Sequence, residues 1–221
     1  MSSLLAKLLE ESASRHSHLC PRQVLGVRMG LAALQRLGIE RPITKQTALV
    51  IVETDGCFAD GVEVATGATI GHRTLRVNDL GKIAATFADL RTGCSIRVAP
   101  RVDARIRAAL YAPLEAKRYY AQLQGYQSMP DQELFRIQDV VLDPPASALL
   151  SEPGVRVACE ICGEEIVNER EVVIEGSILC RSCAHGAYYK TRLREPRADL
   201  SILEAGVALD EITRLVQPPV S

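Results

Sequence analysis

The chain has 221 residues, 47% of them hydrophobic, with 26 lysines and arginines against 27 aspartates and glutamates and a formal net charge of −1. That size supports one large or two modest domains with a real core, and the balanced charge exerts no global pull on nucleic acid or an anionic membrane. No N-terminal stretch has the order of a secretion signal and no apolar run approaches a membrane span. A soluble cytoplasmic protein without membrane association is therefore expected, its seven cysteines reduced and open to metal.

In chain order, Leu4, Leu5, Leu8 and Leu9 place an apolar face on a short helix that ends near Ser14. Then His16, His18 and Cys20 alternate along Arg15-His-Ser-His-Leu-Cys-Pro21. In an extended segment side chains two apart point the same way, so three metal-ligand types would share one edge. Pro21 opens a helix over about 21–37 that Gly38 stops. Val24, Val27, Leu31 and Leu34 form its apolar stripe. Gly26, Gly30 and Ala33 form a second face of small residues, fitted to a closely packed backbone in the same fold or across a dimer.

Thr47–Thr54 is an uninterrupted β-rich apolar run, read as a central strand buried on both faces. It leads to Asp55-Gly-Cys57-Phe-Ala-Asp60-Gly61, a cysteine between two aspartates just past a buried strand, and then to a helical turn over 62–66. Three strands follow, over 74–79, 82–89 and 95–101, with Asn78-Asp79 and Gly81 predicting an antiparallel hairpin between the first two. Cys94 has no partner by spacing and reads as structural. Arg97, Arg101, Arg105 and Arg107 form a basic strip for a phosphate or carboxylate, unless they are simply solvated.

From 102 to 138 the pattern is helical. Asp103 caps a helix through Leu110, Pro113 opens a second through Gln127, and Pro130 begins a third. Asp143-Pro-Pro145 is a break and Glu152-Pro-Gly154 a linker.

The strongest motif follows: Cys159 and Cys162, then, after seventeen intervening residues, Cys180 and Cys183. Two C-x2-C pairs at that separation match the ligand set of a structural zinc site. Short strands over 165–167 and 171–174 lie between the pairs, and the second pair precedes a helical run, where the dipole favours thiolate. So few apolar residues cannot form a core alone, and metal would supply most of the folding energy. Between Arg156 and Leu179 six glutamates oppose two arginines, the wrong sign for phosphate contacts, so nucleic acid is not an expected partner. A protein–protein role is the default. Residues 198–221 read as short helices, with a faint half of a helix-turn-helix at 200–216, and a disordered tail.

The expected architecture is α+β: a mixed or antiparallel sheet with packed helices over 1–150, a small zinc-ribbon or treble-clef-like four-cysteine module over 151–197, and the tail 198–221. Through His16-Ser-His18-Leu-Cys20-Pro21, Leu25-Gly26-Val-Arg28, Glu53-Thr-Asp55-Gly-Cys57-Phe-Ala-Asp60-Gly61, Thr66-Gly67-Ala-Thr69-Ile-Gly71 and Asp79-Leu-Gly81-Lys82, the body resembles the FmdE family, the E-subunit family of formylmethanofuran dehydrogenase. The cysteine module resembles the zinc finger of DnaK-suppressor/TraR type. The resemblance implies a homodimer with a second metal site in the body. His18, Cys20 and Cys57 match family positions of ligand type, and His16 also matches. Where the family has a third cysteine this chain has Ala68, and a family Gly-Lys-Gly is Gly71-His72-Arg73; His72 is the candidate substitute donor.

A His/Cys donor set suits zinc, with nickel, cobalt or iron as competitors, and Asp55 or Asp60 would orient an imidazole or act as a base. Cys20 and Cys57 facing each other without metal would instead be a redox or nucleophilic pair. No molybdopterin, tungsten or iron–sulfur motif is present, so formylmethanofuran oxidation by this chain alone is not expected, and whether it is an enzyme stays open. Two functions follow. One is a metal-binding accessory protein that handles a small ligand or serves a redox-enzyme or other protein partner. The other is a zinc-finger adaptor or regulator with the body as a dimerisation scaffold.

Overall fold

The computed structural model describes residues 3–45, 47–150 and 154–191. The chain divides into two compact units, Met1–Glu152 and Pro153–Ser221.

In the first unit, α1 (Ser3–Ser14) buries Leu5, Leu8 and Leu9, the i, i+3, i+4 stripe its sequence carries, while Leu4 stays exposed. Helix α2 (Pro21–Leu37) begins at the proline and ends at Gly38. A sheet of order β2-β1-β3-β4-β5 follows: β1 (Ala48–Val52), β2 (Leu75–Val77), β3 (Ala85–Asp89), β4 (Ser95–Pro100) and β5 (Phe135–Asp139), with α3 (Cys57–Thr66) crossing between β1 and β2. Strand β1 pairs parallel with β2 and antiparallel with β3; β3–β4 and β4–β5 are antiparallel. The sheet is thus mixed, as a crossover helix requires of the strands it joins.

Alternation sorts the strands. Val50, Val52, Ala85, Phe87, Ile96 and Val98 share one face and join Val24, Val27, Phe58 and Val62 of the helices in a single core. The other face carries the row Arg76–Ile51–Thr86–Arg97–Gln138. There the Arg97 guanidinium grips Glu53 through two bonds of 2.5 and 2.6 Å, which removes it from any free basic strip.

The predicted hairpin between the strands at 74–79 and 82–89 is not formed: β1 lies between β2 and β3. Local turn residues were outweighed by the parallel partner that the crossover supplies. After β4 the chain forms α4 (Ala104–Arg107) continued by a 3-10 turn (Ala108–Tyr111), then α5 (Arg118–Ser128), which begins five residues later than Pro113 suggested. The helix expected after Pro130 is a single turn, α6 (Asp131–Leu134), and the residues read as its continuation form the edge strand β5. A last turn, α7 (Ala146–Leu149), closes the unit. Cys94 lies exposed in the β3–β4 turn rather than packed.

Helices α2 and α3 approach as closely as main chains allow. A Cβ on Gly61 would sit 2.5 Å from the Gln23 carbonyl oxygen, and one on Gly26 would overlap that of Phe58. The small-residue face of α2 is thus used within the fold.

The second unit contains two hairpins, β6 (Arg156–Ala158) with β7 (Glu165–Val167) and β8 (Val172–Ile174) with β9 (Ser177–Leu179), then α8 (Arg181–His185). Among the described residues its buried cluster holds Cys159, Ile166 and Leu179. The helix expected beyond Cys183 stops at His185, and the predicted tail elements lie outside the described residues. Among the described residues no helix is long and apolar enough to cross a membrane.

Candidate metal centres

In the second unit Cys159, Cys162, Cys180 and Cys183 bring their sulfurs within 4.8 Å of one another. Cys162 and Cys180 lie 3.9 Å apart. Tetrahedral zinc with sulfurs at about 2.3 Å needs them roughly 3.8 Å apart, so the four fit the ion. Two knuckles make this arrangement: Gly163 N–H donates to the Cys159 carbonyl at 2.8 Å, and Cys180 caps α8, its sulfur accepting from Cys183 N–H at 3.4 Å. Backbone N–H groups of Cys162 and Cys180 hold the Cys159 thiol down at about 6, which favours its thiolate form. The Cys183 thiol is pushed up to about 12, first by its hydrogen bond with Cys180. A bound cation reverses that penalty.

The body donors gather less completely. Cys20 is the N-cap of α2, buried, and its N–H donates to the Gln23 side-chain oxygen at 2.7 Å. The Gln23 amide in turn donates to the Ser12 carbonyl at 2.7 Å, which ties the end of α1 to the start of α2. Cys57 opens α3 after Gly56, whose φ of +73° and ψ of −157° suit glycine alone. The two thiols face each other: burial raises the Cys57 pKa and the neighbouring Cys20 raises it further.

His16 and His18 do not follow the extended path expected of them. Residues 15–18 bend, so His16 turns to Asp60, Nε2 to Oδ2 at 2.6 Å, while exposed His18 meets Ser17 at 3.1 Å. Among the described residues no third body donor joins the two thiols within the 4.8 Å that defines the finger cluster. Asp60, one of the two aspartates proposed as an orienting group, holds an imidazole; Asp55 is exposed.

Ala68 is fully buried in the core, and His72 lines a small cavity with Pro42, Thr44 and Lys45. Both lie past the C-terminal end of α3, about 15 Å along the helix from Cys57, so His72 is not placed to complete a site with it. Two further participants stand beside the thiols. Gln23 was discoverable as the third residue after an N-cap. Tyr119, whose hydroxyl reaches the Leu19 carbonyl at 3.5 Å, has its pKa raised by burial and then by the Cys20 thiol; nothing local in the sequence announces it.

Residues 15–136 match the model of the family described as FmdE, molybdenum formylmethanofuran dehydrogenase operon. Residues 154–189 match the prokaryotic dksA/traR C4-type zinc finger, and with the four-sulfur cluster this makes the second unit a zinc-binding module. A probable S-adenosyl-L-methionine-binding protein of Archaeoglobus fulgidus is 32% identical over 209 residues, covering 85% of this chain and 55% of its own length. The chain thus spans about half the length of that curated relative. A tungsten formylmethanofuran dehydrogenase FmdE-like protein from Syntrophus aciditrophicus shares the fold, with a TM-score of 0.53, 23% identity, and coverage of 84% of this chain and 95% of that one.

Proposed function

We propose, from the premise that this chain belongs to the FmdE family, that beyond its zinc finger it holds a transition metal in the body and works as an accessory protein handling a small ligand there. The observation that carries this reading is the convergence of two thiols at the first turns of α2 and α3, with Asp60, one turn past Cys57, already orienting the His16 imidazole. Asp60 occupies Nε2 of His16, which leaves Nδ1 as the ligand atom, the usual carboxylate–histidine–metal relay. Cys20, Cys57 and His16 would be three donors, with His18 on the same bend as the fourth. A nitrogen–sulfur set of this kind suits zinc, and a bound zinc ion supplies Lewis-acid polarisation of a ligand oxygen.

The protein's own residues shape the rest. Gln23 fixes the main chain of Cys20, Gly56 aims Cys57, and Tyr119 brings a hydroxyl to the neighbouring Leu19. The protein would serve a redox enzyme or another protein in the cytoplasm. One relative is named a probable S-adenosyl-L-methionine-binding protein, so that compound is the small molecule to titrate first.

The adaptor reading, with the body as scaffold, is favoured by the finger alone having three or more donors gathered among the described residues. Elemental analysis of purified protein separates the two. Two equivalents of metal in wild type and one in Cys57→Ser, with the fold intact, support the body site; one equivalent in both leaves the adaptor.

A further inference from the structure

The outer face of the sheet gathers arginines where β4 meets β5. Arg97 lies in β4, and Arg101 follows that strand, its N–H continuing the ladder to the Leu134 carbonyl at 2.9 Å. Side chains two apart in a strand share a face, so Arg97 and Arg101 flank Ala99 on one side of the sheet. Arg136 of β5 stands directly opposite Ala99. Diagonal neighbours across an antiparallel pair are about 7–8 Å apart, within reach of long side chains. Three guanidinia thus border one methyl group, and with Val102 and Asp103 they line a cavity of about 540 Å³.

The carboxylates nearby do not fill it. Glu53 takes Nε and Nη2 of Arg97, which leaves the Nη1 amine outside that pair. Asp103 accepts from Arg107 at 2.8 Å and approaches half-exposed Arg101 only to 3.8 Å. Arg136 is exposed and pairs with no carboxylate among the described residues. Glu133 is the second partner of Arg107, at 2.6 Å. Four guanidinia therefore meet three carboxylates around the groove. Like charges on neighbouring strands repel, and the excess here is positive.

We propose that this groove binds the phosphoryl group of a small organic phosphate monoester. A carboxylate is satisfied by the fork of a single guanidinium, whereas three guanidinia from three directions suit a group with three terminal oxygens and a charge of about −1.5 to −2. Arg97 supplies donors held in place by Glu53, and Arg101 and Arg136 supply the charge. The cavity has the volume of a small-molecule site and exceeds what a bare phosphate fills. Val102, 104% exposed, gives the organic part an apolar wall. The basic strip expected from sequence is redrawn: Arg136 takes the place of Arg105 and Arg107, because strand pairing rather than chain spacing selects which arginines meet. The proposal does not depend on the body metal.

The test is titration of the full chain with phenyl phosphate at low ionic strength, followed by backbone amide shifts, with inorganic phosphate and benzoate as comparisons. Phenyl phosphate is expected to saturate one site, with shifts concentrated in residues 97–103 and 135–138, and to bind more tightly than either comparison. Arg101→Gln and Arg136→Gln are each expected to raise its dissociation constant about tenfold, with thermal melting unchanged. Arg105→Gln, outside the groove, is expected to leave binding intact. Absence of saturation, inorganic phosphate or benzoate binding as tightly as phenyl phosphate, or an equal loss in Arg105→Gln overturns the proposal.

Discussion

His16 and Asp60 are 44 residues apart in sequence and meet through Nε2 and Oδ2 at 2.6 Å. Asp60 stands one helical turn past Cys57, so the carboxylate that orients the imidazole and the thiol beside it ride on one element. Replacing Asp60 by Asn keeps the shape and removes the charge. Loss of such an orienting carboxylate typically costs 10–100-fold in metal affinity, here about that much for the proposed body site. Chelator competition should show this loss with the finger equivalent unchanged.

Cys159→Ser should release the finger zinc and unfold the second unit, while the body's melting transition is preserved. A buried cluster of Cys159, Ile166 and Leu179 is too small to fold without its ion. A zinc-release assay combined with amide exchange over residues 154–191 checks both halves of this expectation. Collapse of the body transition along with the finger would contradict the independence of the two.

Gly26→Ala should destabilise the body by about 1–3 kcal/mol or more, because the new methyl meets main chain of α3 and neither helix has a side chain to yield. Denaturant midpoints of wild type and variant give the number. The same change should increase reactivity of Cys20 and Cys57 toward thiol reagents, since forcing α2 from α3 uncovers both.

Stability should also respond to acid through Asp89. Hydrogen bonds from Arg91 hold its carboxyl at about 2, against roughly 3.9 in an unfolded chain. A lowered folded value means that the contribution is complete above about pH 4 and disappears as pH falls toward 2. Asp89→Ala should cost about 1–3 kcal/mol at neutral pH, where the backbone and guanidinium of Arg91 lose their acceptor. Unfolding free energies of wild type and variant should converge near pH 2.

Much of this was legible in the sequence where one residue does one job. Pro21 and Gly38 bound α2, the two C-x2-C pairs meet around one point, and the run from Thr47 contains an interior strand. Errors arose where a partner distant in sequence decided the outcome. The turn residues 78–81 favour a hairpin, yet β1 takes both neighbours; residues 135–138 look helical, yet the open edge of β4 makes them a strand. The body donors show the same division. Cys20 and Cys57 come together because each sits at a fixed helix start, whereas His16 and His18 lie on a bend whose path no local signal dictates.

Where α2 and α3 cross at Gly26 and Gly61, the spacers are hydrogen atoms rather than methyl or isopropyl groups. The gap separating the two sulfurs is accordingly set by peptide units, which evolution cannot resize. The sulfur spacing therefore depends on the glycines at 26 and 61 staying glycine.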